Sequence, residues 1–200
     1  MKNNLFYLKL DICSYWRAGA GQQAGAYADQ LVIKQDGLPY LPGKQLRGVL
    51  KKAFKIACDA GWLGKQGLEN IDSIFGNDDK TLRQGVLQVS NAQLLPSEIN
   101  WFTQNPSAKP LLYHTKDTQA VEHISGTTKQ GSLRTMEVTV PVVLFADISL
   151  NQEIVHKFKI SDFEKWLIAC CSLITAVGAD RNRGMGQVVV SLVKSNQEIM

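Results

Sequence analysis

From Leu5 to Ile12, polar-compatible positions Leu5, Tyr7, Lys9 and Asp11 alternate with Phe6, Leu8, Leu10 and Ile12. This period of two predicts a first strand with one apolar face. The stretch from Trp16 to Gly25 is too rich in small residues to be a regular element. Leu31–Lys34 reads as a short extended piece and Asp36-Gly37 as a turn. Leu41-Pro42-Gly43 then opens a helical pattern that runs to about Ala60, with Leu46, Val49, Leu50, Ala53, Phe54 and Ala57 forming one apolar stripe. A second short helix is predicted over Leu68–Phe75, a strand over Val86–Leu95 and a short helix over Ser97–Gln104. Tyr113–Thr135 is polar, lacks a helical period and predicts a long hairpin or an ordered loop. Val138–Leu150 reads as a strand. Ser161 and Glu164 form a capping-box pattern ahead of Phe163, Trp166, Leu167, Cys170, Leu173, Ile174 and Val177. A final strand is predicted over Gln187–Val193. The order β–α–β–β–α–β predicts an α+β fold of ferredoxin-like (RRM-like) type. It implies one domain over residues 1–200 with an insertion at about 105–136.

Composition narrows the class only a little. Two hundred residues with 44% apolar and 20% charged side chains suit a single soluble globular domain. The net charge of +4 permits an acidic partner without identifying one. Cys13, Cys58, Cys170 and Cys171 form no C-x-x-C pair and no cluster with histidine, which argues against a zinc site. No signal peptide and no apolar run of membrane-spanning length is visible, so a cytoplasmic protein with reduced thiols is expected.

The segment Gly178-Ala179-Asp180-Arg181-Asn182-Arg183-Gly184-Met185-Gly186 concentrates the candidate chemistry. Glycines let backbone N–H groups approach an anion, and arginine offers a planar cationic fork for phosphate oxygens. Because the loop follows a predicted helix, it faces the negative end of that dipole, and the arginines must supply the positive charge. A groove for a phosphate backbone fits this better than a mononucleotide pocket. Lys44, Arg47, Lys51 and Lys55 add a cationic stripe on the first helix with no acid alternating among them. A solvated lysine face and a solvated αβ turn are the plain alternatives for these two features.

Three segments, in chain order, resemble the RAMP superfamily of CRISPR-associated proteins. Within it they are most similar to the guide-RNA-binding backbone subunits of type III effector complexes. The first runs from Gly25 through Asp29 to Lys34 and continues as Gly37-Leu38-Pro39-Tyr40-Leu41-Pro42-Gly43-Lys44-Gln45-Leu46-Arg47-Gly48. Lys44 and Gln45 stand where small hydroxyl residues are common in that family. The second is Gly126-Thr127-Thr128-Lys129-Gln130-Gly131-Ser132-Leu133-Arg134-Thr135-Met136-Glu137, similar to the portion after the family's thumb hairpin. The third is the closing glycine–arginine loop.

The resemblance implies binding to guide RNA (crRNA) and target RNA, and assembly with other copies of the chain and other CRISPR effector subunits, with no membrane. It implies that Lys44, Arg47, Lys51, Gly178, Arg181, Arg183, Gly184, Gly186, His123 and Arg134 touch RNA. It also implies that Asp29 serves both as catalytic residue and as ligand of a divalent metal, Mg²⁺ by expectation. The target RNA would then be cut at regular intervals, making the chain an endoribonuclease within the assembled complex. Read from its spacing alone, Asp29 is a turn or solvent-facing residue. Tyr113, His114, His123 and Ile124 become candidates to stack or wedge against bases, and Trp16 and Trp101 are either stacking or core aromatics. A non-catalytic scaffold fits the same motifs. So does a precursor-processing endoribonuclease, although the earliest histidine here is His114 and those enzymes often carry one near the start. A ferredoxin-like binding domain with no RNA role would make every motif match a coincidence.

Overall fold

A computed structural model describes residues 6–19, 28–76, 85–119, 133–151 and 158–193. In chain order the elements are β1 (Phe6–Ile12), β2 (Lys34–Gln35), β3 (Leu38–Pro39), α1 (Gly43–Asp59), α2 (Gly64–Phe75), β4 (Leu87–Val89) and α3 (Pro96–Gln104). They continue with β5 (Tyr113–Thr118), β6 (Arg134–Thr139), β7 (Val142–Leu150), α4 (Ile160–Ser172) and β8 (Val188–Val193).

Alternation in the first segment has the expected outcome: Phe6, Leu8, Leu10 and Ile12 are buried and Asp11 is exposed. β1 pairs antiparallel with both β7 and β8, and β7 pairs antiparallel with β4, giving the order β4-β7-β1-β8. The connections β1–α1–β4 and β7–α4–β8 each return to the same sheet with one strand left between. That is a split-βαβ pattern on an antiparallel sheet, an α+β fold consistent with the ferredoxin-like arrangement.

The inward residues of the sheet form one core with Leu46, Leu50 and Phe54 of α1 and Phe163, Trp166 and Leu167 of α4. Phe54 is fully enclosed and meets Trp166 edge-on, with centroids 6.0 Å apart. Truncating such a ring to alanine costs about 3–5 kcal/mol. Among the described residues, no helix is long and apolar enough to cross a membrane. Cys58, Cys170 and Cys171 are buried and Cys13 is exposed. Burial pushes the Cys170 and Cys171 thiols up to about 12.

Several boundaries differ from the pattern. The run Val138–Leu150 is two strands, split at Val140-Pro141, because proline has no N–H to continue a ladder. β6 therefore belongs to a second sheet with β5, while β7 enters the main one. The strand read over Val86–Leu95 is regular only over Leu87–Val89; Ser90 and Gln93 still pair with Asp147 and Phe145 of β7, around a break where two polar side chains also bond. Ser90 Oγ accepts the Asp147 N–H at 2.8 Å, and Asn91 Oδ1 accepts the Gly43 N–H at 2.9 Å, capping α1. Ser161 sits inside α4, whose N-cap is Lys159, so the capping box does not form. α4 also ends at Ser172. The β-branched residues Ile174, Thr175 and Val177 favour extended backbone, and the Val177 N–H bonds the Gly186 carbonyl at 2.8 Å.

Candidate nucleic-acid interface

The glycine–arginine loop is closed like a hairpin, by the Val177–Gly186 bond and by the bridge between Ala176 and Gln187. It is thus separated from the end of α4 by several extended residues, and the helix dipole, which fades within one turn, does not govern it. Gly178 and Gly186 are required for close approach as well as for positive φ (81° and 70°). A Cβ on Gly178 would stand 2.6 Å from the Arg17 carbonyl oxygen, and one on Gly186 would overlap the Val177 carbonyl. Gly184, at φ 76°, faces open space, so it is needed only for conformation. Asp180 adopts a left-handed φ of 55° and starts the 3₁₀ turn Arg181–Arg183, in which the Arg183 N–H bonds the Asp180 carbonyl at 2.8 Å. Arg181 and Arg183 are left exposed.

Between this loop and α1 runs a groove. One reach, of about 590 Å³, is lined by Val49, Lys52, Ile56, Gly178, Asp180, Arg181 and Arg183, among others. A second, of about 410 Å³, adds Gly19, Gln45 and Gly48 and shares Val49, Lys52, Gly178, Ala179 and Arg181 with the first. The shared residues, from both walls, place the two reaches side by side. Gly48 helps shape the groove, since a Cβ there would meet nothing within 4 Å. An isolated glycine inside a helical pattern was the available sign of this flank.

Lys44, Arg47 and Lys51 do not line that groove. Residues 47 and 51 lie on the far flank of α1 because each step along the helix turns about 100°. Arg47 Nη2 donates to the Phe75 carbonyl at 3.0 Å and Lys51 Nζ to the Gly76 carbonyl at 3.3 Å. These are carbonyls at the C-terminal end of α2, where cations are favoured. Lys44 is exposed on the first turn. The cation that α1 does present to the groove is Lys52.

Asp29 is placed by the second sheet. Its N–H bonds the Thr135 carbonyl at 2.8 Å, and its Oδ2 accepts the Thr135 N–H at 2.8 Å, so the carboxylate holds the beginning of β6. Thr135 Oγ1 donates to Asp117 Oδ1 across the hairpin at 2.7 Å. The Asp29 segment joins the groove wall to the hairpin: Gln30 bonds Glu137 of β6, while Val32 bridges Gly19 and Ile33 bonds Ala18. Asp29 is exposed. Arg134 is exposed at the start of β6, and its cross-strand partner is Thr118. His123, Ile124 and the segment from Gly126 to Ser132 lie outside the described residues. His114 meets Tyr15 edge-on with centroids 5.7 Å apart, and Tyr113 donates through its hydroxyl to the Gly37 carbonyl at 2.9 Å. Trp16 is wholly buried and Trp101 is exposed.

Arg17 and Glu137 are buried charges. Glu137 is only 2% exposed and accepts from Lys34 Nζ at 2.7 Å and from the Val32 N–H at 3.1 Å. Arg17 pairs with Asp180 at 2.8 Å. Neither burial is readable from the sequence, because a lone charge carries no sign of it.

A family model described as the RAMP superfamily matches residues 9–189. The chain belongs to the RAMP superfamily. Among solved structures, this RAMP protein is similar to a chain of the type III-B Cmr-beta complex bound to cognate target RNA. That match has a TM-score of 0.68 and 8% identity, covering 98% of both chains. It is also similar to a chain of Cmr-beta in the apo state, at TM-score 0.65 and 10% identity over 95% of this chain and 97% of the other. At these identities the likeness concerns the fold. No curated protein matches the sequence significantly.

The residues around Asp29 bear on a metal. Among the described residues, no three His, Cys, Asp or Glu side chains converge to hold one. Asp29 and Asp117, joined through Thr135, are the carboxylates on hand. Such a set does not fit a protein-only cage. Hydrated Mg²⁺ asks less of a protein, one or two carboxylates with water and substrate phosphate completing its shell.

Proposed function

We propose that this RAMP protein is a guide-RNA-binding subunit of a type III CRISPR effector complex, assembling with other copies of itself and with other effector subunits. The guide's ribose–phosphate backbone lies in the groove between α1 and the glycine–arginine loop. The observation that carries this reading is the pair of adjoining reaches with Lys52 and Arg181 on the walls of both and Arg183 on the first. Phosphate contacts of this kind give affinity and register, while sequence is read by base pairing to the guide. The similar Cmr-beta chain comes from a complex bound to target RNA, which supports RNA as the partner.

Within this reading Asp29, beside Thr135 at the loop-side end of the β5–β6 ladder, acts on target RNA laid beside that hairpin. Its Oδ2 is held by the Thr135 N–H, which fixes the carboxylate's direction. Oδ1 has no bond to any described residue and takes the proton of a ribose 2′-OH. The 2′ oxygen bonds to the adjacent phosphorus as the bond to the 5′ oxygen breaks, the 5′ oxygen leaving with a proton from water. Asp29, with Asp117 beside it, would hold Mg²⁺, which would supply stabilisation of negative charge developing on the phosphate. Arg134 holds the target strand near the same edge. One observation favours a second reading, a binding scaffold without cleavage: Asp29 already has a structural task as the ligand of the Thr135 N–H.

Assembly with a guide RNA and a labelled target in Mg²⁺ separates the two. Asp29→Asn in the complex is expected to leave guide and target bound while cutting slows about 100-fold or more. Products of the parent complex should end in a 2′,3′-cyclic phosphate. Equal cutting by parent and variant would remove Asp29 from the chemistry, and no cutting by either would favour the scaffold.

A further inference from the structure

Arg17 is 8% exposed, yet it belongs to no element and no motif. It holds three consecutive residues of the glycine–arginine loop. Its carbonyl lies against Gly178, closely enough to exclude a side chain there, and accepts the Ala179 N–H at 2.8 Å. Its Nη2 bonds the Asp180 carboxylate at 2.8 Å. Its Nε is buried with no partner among the described residues. A well-packed apolar residue would avoid the desolvated charge, so stability alone does not account for an arginine here.

We infer that Arg17 is a positioning residue for RNA binding: through Asp180 it sets the turn that presents Arg181 and Arg183 to the groove. The inference rests on the groove reading given above. Asp180 is the residue on which that turn depends, for it combines a left-handed φ of 55° with the carbonyl that accepts the Arg183 N–H. Asp180 also lines the groove, where a free carboxylate would repel phosphate. Pairing with Arg17 turns it inward and cancels its charge, so Arg17 both pins the loop and removes an acid from the phosphate path.

The sign of one substitution decides the matter. Asp180→Gly keeps the left-handed backbone at no steric cost and deletes a negative charge from the groove. If charge alone mattered, RNA would bind more tightly. If Arg17 positions the loop through Asp180, binding weakens about tenfold, the loss of one or two phosphate contacts. The probe is a fluorescein-labelled single-stranded oligouridylate, titrated by anisotropy into the full-length protein at several salt concentrations. Because Asp180→Gly leaves Arg17 buried and unpaired, the double variant Arg17→Met/Asp180→Gly is measured beside it, with thermal melting of each. The double variant is expected to melt like the parent and still to bind weakly. Tighter or unchanged binding by folded Asp180→Gly or by the double variant overturns the inference. Arg181→Ala serves as the control: if it binds as the parent does, the groove reading itself is wrong, and that failure is distinct from the first.

Discussion

The two flanks of α1 carry the same kinds of cation to different ends. On one flank, Arg47 and Lys51 reach the carbonyls of Phe75 and Gly76 and tie down the end of α2. On the other, Lys52 faces a groove whose opposite wall holds Arg181 and Arg183. A basic residue on a helix is therefore not evenly available to a phosphate. What separates the flanks is whether a neighbouring element offers carbonyl oxygens first, as the end of α2 does, or leaves a gap, as Gly48 does.

The harshest way to break the comparison is to spoil the loop that makes one flank a groove. Gly186→Ala adds an unfavourable left-handed alanine to an overlap with the Val177 carbonyl, and is expected to cost about 3 kcal/mol by denaturant unfolding. Gly184→Ala, with the same sign of φ and open space, should cost about 1 kcal/mol in the same assay. Equal losses would mean that close approach plays no part.

The core on which both flanks rest responds to alkali. In the unfolded chain the Cys170 and Cys171 thiols ionise at the ordinary value of 9.0, while in the fold they keep their protons to about 12. Stability should be insensitive to these groups below pH 9 and fall between pH 9 and 12. The slope is about 1.4 kcal/mol per pH unit for each thiol. Urea unfolding at stepped pH measures this, and Cys171→Ala should reduce the slope by one thiol's share.

The sharpest test of the comparison itself is smaller in energy. Arg47→Ala should lower stability by about 1 kcal/mol, through the lost bond to Phe75, and leave the salt dependence of RNA binding as it was. Lys52→Ala should do the reverse. Its melting temperature should hold, while the slope of log affinity against log salt falls by about 0.7, as for one phosphate contact on a single strand. If Arg47→Ala also lowered the slope, the two flanks would share one RNA path.

Much of the fold was legible. Alternation in β1, the apolar stripe of α1 and the Asp36-Gly37 turn each report local geometry, and each lies where the pattern placed it. The α4 capping box misled because Ser161 with Glu164 satisfies a local rule that Lys159, one step outside the helix, already pre-empts. In the candidate site, the glycines of the loop were legible, since positive φ and close approach leave few other residues possible. Lys52, Arg17 and Glu137 were not, because their surroundings come from segments remote in the chain.

The chain by itself thus determined the places of β1 and α1, its membership of the RAMP pattern and the backbone form of the glycine–arginine loop, all written in short-range periodicity and in residues with special φ. Only the tertiary structure decided which cations face the groove, which acid is cancelled by Arg17 and what holds Asp29. Those depend on the approach of segments more than 100 residues apart, such as Asp29 with Thr135 and Arg17 with Asp180. No local pattern encodes such meetings; they follow from how the packed layers settle.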